Sequence, residues 1–483
     1  MKKMNLLVMS LVSAAALSFT SCSSNDELDG NNAGQAKVDQ FYMTMTIQTP
    51  NSNGTRTAVK DYTTENATPA ESDVTSGTFY LVDANNKIVF KKSITKEEWA
   101  DKKNPTQGTN GKTTLQVPVE NVTAGTTYSV YFLANTTSES PSPLTDVFTS
   151  DNKFATAYST ANNFAMFNQN DAEVKGNSHT VVFKSDNKDA NTPAKVSSTI
   201  NIERLTARID EPKSEASAIK PYAVDANASD EEKKANANAV KAVKSLKLTS
   251  YAISNVANKT NVMQQWADAT TLSIPTGITY FQPTTEFGTK TLLQNYNYFN
   301  AVTTDRSQKD YIFENNSSDA ATSMYFEYTV ELSDDYKTNA DFEDGTFYRY
   351  NKVIYSRIQD VIDAYKDQKA IFDGKDAASV IAELKTAKAE PDSEAKLDEF
   401  RKKYDIEVFN AGKTYYVQKI KDQYLGIANT IQRNSIYLLN VKNIFNVGAQ
   451  VPNGGPDDRT LYYLDVEVSV NPWVLNNQDV DLK

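Results

Sequence analysis

Short runs of alternating apolar and polar residues, separated by turn residues, dominate this chain. Near the N-terminus, Phe41, Met43, Met45 and Ile47 would share one face of a strand over residues 41–48. Further strands are predicted at 78–83, 87–92, 113–119, 126–134, 179–184, 198–209, 244–254, 324–333, 346–356, 413–420 and 435–445. Many short strands and few helices make the predicted fold class mainly β, with antiparallel β-sandwiches.

The most regular alternation lies near the C-terminus, over residues 461–470. Its apolar positions, which would share one face of a strand, are Tyr462, Leu464, Val466, Val468 and Val470. The positions between them are mostly polar or charged: Asp465, Glu467, Ser469 and Asn471. Pro472 lacks the N–H needed for a ladder and is expected to interrupt pairing, and Trp473 follows it.

Two segments break the strand pattern. Residues 213–240 are rich in Pro, Ala, Asn, Asp and Lys, which predicts a connecting segment that is partly helical. Residues 357–403 carry apolar residues at helical spacing, with a turn expected at Asp373-Gly374-Lys375 between two helices. The predicted domains are therefore 37–212 and 241–483, with the helical segment as an insertion in the second.

Composition excludes several classes of protein. The 483 residues carry a net charge of −11, which argues against nucleic-acid binding because that requires a positive surface. Cys22 is the single cysteine and His179 the single histidine, so neither an intrachain disulfide nor a Cys/His zinc cluster can form. We expect a protein that is not an enzyme and has no metal, cofactor or catalytic residue.

Candidate catalytic motifs are weak. His179 precedes a predicted strand, and without a G-x-S-x-G motif it is expected to be a surface or edge-strand histidine. Residues 108–113 resemble a phosphate-binding loop, but Thr106 stands where its first glycine is required. Carboxylates are plentiful, yet nothing in the sequence singles out a pair for glycoside hydrolysis.

The N-terminus has the pattern of a lipoprotein signal peptide over residues 1–21. Lys2 and Lys3 are followed by an apolar stretch too short to span a bilayer, and small residues precede Cys22. Cys22 is therefore the predicted lipidation site, with Phe19 departing from the usual leucine and an ordinary secretory signal as the alternative. The polar residues 22–36 are predicted to be a flexible tether.

Arg56 lies in a polar loop just after the first predicted strand, and it is the first arginine in the chain. An arginine-specific protease cutting between Arg56 and Thr57 would separate the lipid anchor and the 37–56 strand from the rest. Taken alone, Arg56 is better explained as an ordinary surface residue.

The two terminal strands have matching patterns. Each carries four apolar side chains at a period of two: Phe41, Met43, Met45 and Ile47 in the first, and Leu464, Val466, Val468 and Val470 in the last. Loss of the first strand would leave a groove that the last strand of another molecule could fill. The alternative is that the last strand pairs within its own domain.

Several segments together resemble one known family. They are the lipobox at Cys22, Ile202-Glu203-Arg204-Leu205-Thr206-Ala207-Arg208, Tyr311-Ile312-Phe313-Glu314-Asn315, Ile431-Gln432-Arg433-Asn434-Ser435-Ile436-Tyr437 and Val466-Glu467-Val468-Ser469-Val470-Asn471-Pro472-Trp473. In this order they resemble the fimbrillins, the major subunits of Bacteroidales type V pili, and particularly the short-fimbria type. The 357–403 insertion has no clear counterpart in that pattern.

The resemblance implies two transthyretin-like sandwich domains and export as an outer-membrane lipoprotein precursor. It further implies trimming at Arg56-Thr57 by an arginine-specific protease, and a donor-strand tail, 461–483, that includes Tyr462 and Trp473. The implied product is a cell-surface fimbria of identical subunits, with accessory tip and anchor subunits, that supports adhesion and biofilm formation.

A second hypothesis is a monomeric or pilus-tip adhesin, a surface lipoprotein that binds glycans. A tip subunit needs a groove but no free donor strand, so the alternating C-terminal run favours the stalk. A hydrolase is the weakest hypothesis, given one histidine and one cysteine.

Overall fold

The computed structural model describes the chain from residue 39 to residue 472, with gaps. The described ranges are 39–50, 68–101, 106–107, 111–136, 142, 144–151, 154–170, 175–222, 228–268, 271–281, 299–303, 305–367, 371–420, 422, 430–452 and 464–472. All of them belong to one compact unit, Asp39–Lys483.

The first part of the chain builds one ten-stranded sheet, which we call the first ladder. Its elements and their neighbours are β1 (Phe41–Gln48), β2 (Gly77–Val82), β3 (Ile88–Ile94), β4 (Thr106–Gln107), β5 (Lys112–Val119), β6 (Thr127–Ala134), β7 (Val147–Thr149), β8 (Ser159–Thr160), β9 (Asn163–Phe164), β10 (Met166–Asn168), β11 (Thr180–Val182), β12 (Ala194–Lys195) and β13 (Ile200–Arg204). The strand order is β3-β2-β6-β10-β13-β1-β5-β4, with β11 on β6 and β12 on β1.

Side chains from both halves of this ladder share one apolar core, and we call the two halves together the first sandwich. Met45 of β1, Phe132 of β6, Met166 of β10 and Ile202 of β13 all belong to it. The other faces of β2 and β6 are covered as well, since Tyr80 and Tyr131 lie in a second buried cluster with Phe148 and Phe313. Strands covered on both faces lose the clean alternation that marks β1.

The second part of the chain builds two larger sheets and several small ones. Its strands are β14 (Ala207–Asp210), β15 (Lys213–Ser214), β16 (Val243–Ser254), β17 (Val256–Ala257), β18 (Lys259–Asn261), β19 (Gln265–Trp266), β20 (Leu272–Ser273), β21 (Tyr280–Phe281), β22 (Asn300–Ala301), β23 (Lys309–Ile312), β24 (Ser323–Leu332), β25 (Phe347–Tyr350), β26 (Val353–Tyr355), β27 (Glu407–Phe409), β28 (Lys413–Lys419), β29 (Ser435–Ile444) and β30 (Leu464–Pro472). One sheet has the order β15-β29-β14-β23 with β30 on β29, and the other the order β22-β16-β24-β28.

These two sheets also pack around a common core. Ile209 and Tyr437 from the first sheet and Tyr251 and Phe326 from the second lie fully buried in it. Two sheets over one core are a β-sandwich, and the mainly β fold predicted from the sequence is confirmed. Pairing is largely antiparallel, but β1 runs parallel to β12 and β13, and β29 runs parallel to β14 and β15.

Helices are few in the described residues. They are α1 (Pro69–Ser72), α2 (Lys96–Ala100), α3 (Asp230–Ala242), α4 (Asp334–Lys337), α5 (Ile358–Tyr365), α6 (Ala377–Ala389) and α7 (Ser393–Tyr404). The helical segment contains α5, α6 and α7, one helix more than the two predicted. They share a core with Tyr348 of β25 and Val408 of β27.

Two predicted strands prove to be pairs of strands. The run 198–209 is divided at Leu205-Thr206, where the chain leaves the first ladder and enters the second sandwich. The run 346–356 is a hairpin, β25 and β26, with positive φ at Asn351 and Lys352 in its turn. The first division leaves the apolar pattern nearly unchanged, because residues 202–210 are all buried, whereas the second falls at the exposed polar pair Asn351-Lys352.

The predicted domain boundaries at 212 and 240 stay predictions. Within the predicted connecting segment, residues 230–240 belong to α3, whose N-cap Ser229 and Glu232 form a capping box. In the described part of the chain, every helix is too short or too polar to cross a membrane.

Candidate assembly site

β1 lies inside the first ladder and not at its edge. It pairs antiparallel with β5 along all eight of its residues. On its other side it pairs parallel with β12 and then with β13. We call the position between β5 and the pair β12/β13 the slot. Without β1, the slot would expose an unpaired edge on each side, one strand-width apart.

The four predicted apolar residues of β1 all face the core. Phe41, Met43, Met45 and Ile47 are at most 3% exposed, whereas the residues between them are half-buried. The ring of Phe41 meets that of Phe183 edge-on, with centroids 5.5 Å apart. The strand predicted at 41–48 is therefore present with the predicted faces, and its displacement stays a prediction.

The outer side of the slot and its N-terminal end are held by polar contacts. Thr46 Oγ1 lies 2.9 Å from Thr114 Oγ1 on β5. Lys188, on the 3₁₀ turn Ser185–Lys188, pairs with Asp39 at 2.7 Å and lies over the ring of Phe41. The N-terminal end of β1 is thus held by a charged contact as well as by strand pairing.

β30 is the outermost strand of its sheet among the described residues. It pairs antiparallel with β29, from Leu464 opposite Ile444 to Pro472 opposite Ser435. β14 and β15 occupy the other side of β29. This is the arrangement expected from the plainer alternative, in which the last strand pairs within its own domain. Pro472 itself stands opposite Ser435, so it does not interrupt the pairing up to that residue.

Other predicted site residues cannot be placed. The lipidation site Cys22, the processing residues Arg56 and Thr57, and the tail residues Tyr462 and Trp473 lie outside the described residues. For Leu464, Val466, Val468 and Val470, the structure describes the backbone strand and its register.

The three internal segments that carry the family resemblance meet in one place, which we call the junction. Arg204, fully buried at the end of β13, donates to the carbonyl oxygen of Glu71 at 2.6 Å and to Ser72 Oγ and Asn434 Oδ1 at 2.9 Å. The Asn434 N–H in turn donates to Thr206 O at 2.8 Å. The junction therefore joins the segment after the predicted processing site to both sandwiches.

Glu71 is the anionic centre of the junction. Its Oε1 accepts from Arg208 Nη1 and from the Tyr311 hydroxyl, both at 2.8 Å, and Lys309 Nζ is 3.8 Å away. Burial alone would raise the pKa of Glu71, but Arg208, the Thr68 N–H, Lys309 and Tyr311 together lower the pKa to about 2. The buried carboxylate is thus ionised and fully hydrogen-bonded.

A second buried ion pair lies beside the junction. Arg433 Nη2 is 2.7 Å from Glu314 Oε2 and 2.9 Å from Thr260 Oγ1, and both charged side chains are almost completely buried. Gln264 Nε2 donates to the other oxygen of Glu314 at 2.5 Å. The segment before β29 is therefore fixed on the scaffold independently of β30.

Sequence reasoning missed Glu71 and the roles of Arg204 and Arg208. Two arginines and a glutamate within the strand-like run 202–208 were the available signal, since charges on a buried strand need partners. The partners of Arg204 are distant in sequence: Glu71 is more than 130 positions away and Asn434 more than 200. A local sequence pattern cannot identify such partners.

Of the two expectations for His179, a surface or an edge-strand histidine, the first is wrong: His179 directly precedes β11, which pairs with β6, but it is not at the surface. It is 2% exposed, and its Nδ1 lies 2.8 Å from Ser198 Oγ. Burial lowers the pKa of His179, so its neutral form is favoured. Among the described residues, no group of three or more His, Cys, Asp or Glu side chains could hold a metal ion.

Comparison with protein families gives one match. Residues 407–479 match the family described as major fimbrial subunit protein type IV, fimbrillin, C-terminal. This region contains β29 and β30. This match confirms the fimbrillin resemblance for the C-terminal region of the chain and supports a fimbrial surface protein. A search of curated proteins finds no match.

Solved structures give more distant similarities. A candidate cell adhesion protein from Parabacteroides distasonis has a TM-score of 0.46 at 12% identity, covering 90% of this chain and 98% of that one. A fimbrial assembly protein from the same organism has a TM-score of 0.33 at 12% identity, covering 61% and 85%. A candidate adhesin from Bacteroides ovatus has a TM-score of 0.24 at 12% identity, covering 92% and 96%. At these TM-scores the similarities do not bear on function.

Proposed function

Taking a C-terminal region of fimbrillin type as the premise, we propose that this chain is the structural subunit of a surface fimbria. It is exported as a lipoprotein through Cys22, trimmed between Arg56 and Thr57, and polymerised when the last strand of one subunit fills the slot of another. The observation that carries the proposal is the interior position of β1, because its loss opens two strand edges at once.

The energetics favour donation of β30. Among the described strands, β30 makes one ladder in its own sheet, with β29, whereas the slot offers a ladder on each side. Filling the slot also covers the core surface left by four apolar side chains of β1, worth roughly 6–12 kcal/mol gross at about 1.5–3 kcal/mol each. The slot therefore offers this strand one ladder more than it has in its own sheet, above an apolar core.

The trimming position fits this mechanism. Arg56 lies between β1 and α1 in sequence, so cleavage there separates β1 from everything that follows. α1 remains fastened, since Glu71 and Ser72 are bound by Arg204 and Arg208 in the junction. Loss of β1 would then leave the rest of the first sandwich anchored.

The contact between subunits runs head to tail. The slot belongs to the first ladder and β30 belongs to a sheet of the second sandwich. An interface between two different surfaces continues as a filament when the rotation does not close a ring. The partners are further copies of the chain, accessory tip and anchor subunits, an arginine-specific protease and, before trimming, the outer membrane.

One experiment tests the trimming step. Arg56→Ala and the charge-preserving Arg56→Lys are compared with wild type for lipidation, N-terminal sequence and fibres on cells. We expect both variants to stay lipidated, full-length and unpolymerised, and wild type to begin at Thr57. Wild-type fibres from either variant would contradict processing at this site.

A second experiment tests the donor strand. A chain lacking residues 464–483 should be exported and trimmed but should form no fibres. Thermal unfolding of the purified trimmed protein shows that it is folded, which separates loss of the donor from loss of the fold. Normal fibres from this variant would refute the proposed function.

A further inference from the structure

Three lysines border the slot. Lys112 on β5 and Lys195 on β12 stand on its outer face, and Lys188, on the turn before β12, stands at the end where β1 begins, beside Phe41. Lys112 and Lys195 are exposed, and in the described part of the chain neither has a carboxylate partner. Lys188 has one, Asp39, at 2.7 Å. We call these three residues the lysine rim.

Two members of the lysine rim stand directly beside β1. Lys195 is the register partner of Thr44 in the parallel pair of β1 and β12. Lys112 is the register partner of Gln48 in the antiparallel pair of β1 and β5. Neighbouring residues on paired strands share one face of the sheet. The four outward positions of β1 are Tyr42, Thr44, Thr46 and Gln48, none of which is charged.

Removal of β1 would leave the lysine rim with no carboxylate partner among the residues that the structure describes. Asp39 precedes β1 and would leave with it, so Lys188 would lose its partner. The open slot would then have an apolar floor, two cationic side chains on its outer face and a third, that of Lys188, at the end where β1 began. A strand that filled it well would be apolar on one face and acidic on the other.

The last strand has this composition. Between the apolar Leu464, Val466 and Val468 stand Asp465 and Glu467. We propose that the lysine rim selects the acidic C-terminal strand of a second copy of this chain, and that charge favours this strand over β1. The inference rests on the proposed function, since it requires that the last strand enters the slot.

The central pairing does not depend on strand direction. Suppose the four apolar positions from Leu464 to Val470 take the places of those from Phe41 to Ile47. Glu467 then replaces Thr44, beside Lys195, whether the incoming strand runs with β1 or against it. Opposite charges at neighbouring positions of paired strands stabilise the pair.

Lysines on exposed strand faces also occur for solubility alone. That explanation predicts no link between Lys195 and Glu467, because a solubilising charge needs no partner. The lysine rim is also notable in a chain with 61 acidic and 50 basic residues, where an exposed lysine has many carboxylates available.

A charge swap tests the inference. Lys195→Glu, Glu467→Lys and the double variant are purified as full-length precursors and trimmed with an arginine-specific protease, and their rates of fibre formation are measured. Lys247→Glu is the matched control, since Lys247 is an exposed strand lysine in another sheet. Thermal unfolding of each precursor checks that it is folded.

We expect each single reversal to slow fibre formation about three- to tenfold, and the double variant to recover to within about twofold of wild type. Lys247→Glu should assemble like wild type. Higher salt should slow wild type and reduce the differences between variants.

Two results would overturn the inference: a double variant no faster than the slower single variant, or Lys195→Glu behaving like the control. In both cases, the proposed function would still be supported if the wild-type protein forms fibres. Wild type that begins at Thr57 but forms no fibres would refute the proposed function, and this inference with it.

Discussion

β1 and β30 share a sequence pattern but occupy opposite kinds of position. Both alternate apolar and polar residues, and both make a long antiparallel ladder. β1 has a neighbour on each side, whereas β30 is the outermost described strand of its sheet. Loss of β1 opens two edges inside a sandwich, whereas release of β30 uncovers one edge of β29.

This difference separates a strand that can be removed only if the chain is cut, β1, from a strand that can change partners, β30. An interior strand cannot leave a folded sheet without breaking two ladders, so its removal needs a cut in the chain, for which Arg56 is the proposed site. An edge strand can change partners while its sheet stays intact. The two-residue alternation of apolar and polar residues does not by itself distinguish an interior strand from an edge strand.

Replacing an apolar residue by Asp should mainly lower stability in β1 and mainly prevent fibre formation in β30, and this is the largest effect we expect. Met45→Asp places a carboxylate in the first core, where Met45 is 1% exposed, and should destabilise the precursor by about 4 kcal/mol or more. Val468→Asp should destabilise it less but should abolish fibres. Thermal unfolding and electron microscopy of trimmed protein are the measurements.

A matched control makes this comparison sharper. Thr44→Asp adds the same charge to β1 at a half-buried position and should be tolerated. Met45→Asp protein that does fold and is trimmed should form fibres, because β1 is then discarded. Fibres from Val468→Asp at the wild-type rate would contradict the difference in roles.

Glu71→Gln should weaken the attachment of α1. The substitution leaves the buried Arg208 with Asp210 as its remaining carboxylate partner, and we expect a loss of about 3 kcal/mol in the free energy of unfolding. Glu215→Gln, which removes an exposed pair with Lys442, should cost about 0–1 kcal/mol. Denaturant unfolding of both variants measures the difference, and equal costs would contradict the importance of the junction.

The junction should also fail in acid. Because the pKa of Glu71 is about 2 in the folded protein and 4.5 in the absence of its partners, its stabilising contribution is complete above pH 4.5. That contribution is lost as the pH falls from about 4.5 towards 2. Glu71→Gln should show a shallower decline in stability over this range, measured by unfolding at several pH values. An unchanged slope would contradict the assignment.

The smallest effect concerns His179. Since its pKa is lowered below 6.5 by burial, the unfolded chain binds a proton that the folded one does not. Stability is therefore highest above pH 6.5 and declines as the pH falls through the lowered pKa. His179→Asn, which keeps a hydrogen-bonding group near Ser198, should remove this decline. Retention of the decline in the variant would place its origin elsewhere.

Local pattern was sufficient for strands whose faces differ. The prediction for 41–48 matches β1, and the prediction for 113–119 matches β5 to within one residue. It was insufficient where both faces are covered. The step at Leu205-Thr206 changes the sheet to which the chain belongs, but the residues on either side are all buried, so the apolar run continues through it.

The candidate site was predicted in part. The two terminal strands could be identified because four apolar residues at a period of two are visible in sequence. The lysine rim could not, since Lys195 and Lys112 become neighbours of β1 only through strand pairing. The burial of His179 was missed for the same reason, because its cover comes from segments distant in sequence.

The sequence by itself determined which residues can line a β-sandwich core and which strands alternate cleanly, since these follow from side-chain chemistry and the two-residue repeat of a strand. Tertiary structure alone decided that β1 is interior and β30 is outermost among the described strands. It also decided that Glu71 meets Arg208 across more than 130 intervening residues. The physical reason is that strand partners and buried ion pairs are chosen by contacts between distant segments, which local periodicity does not encode.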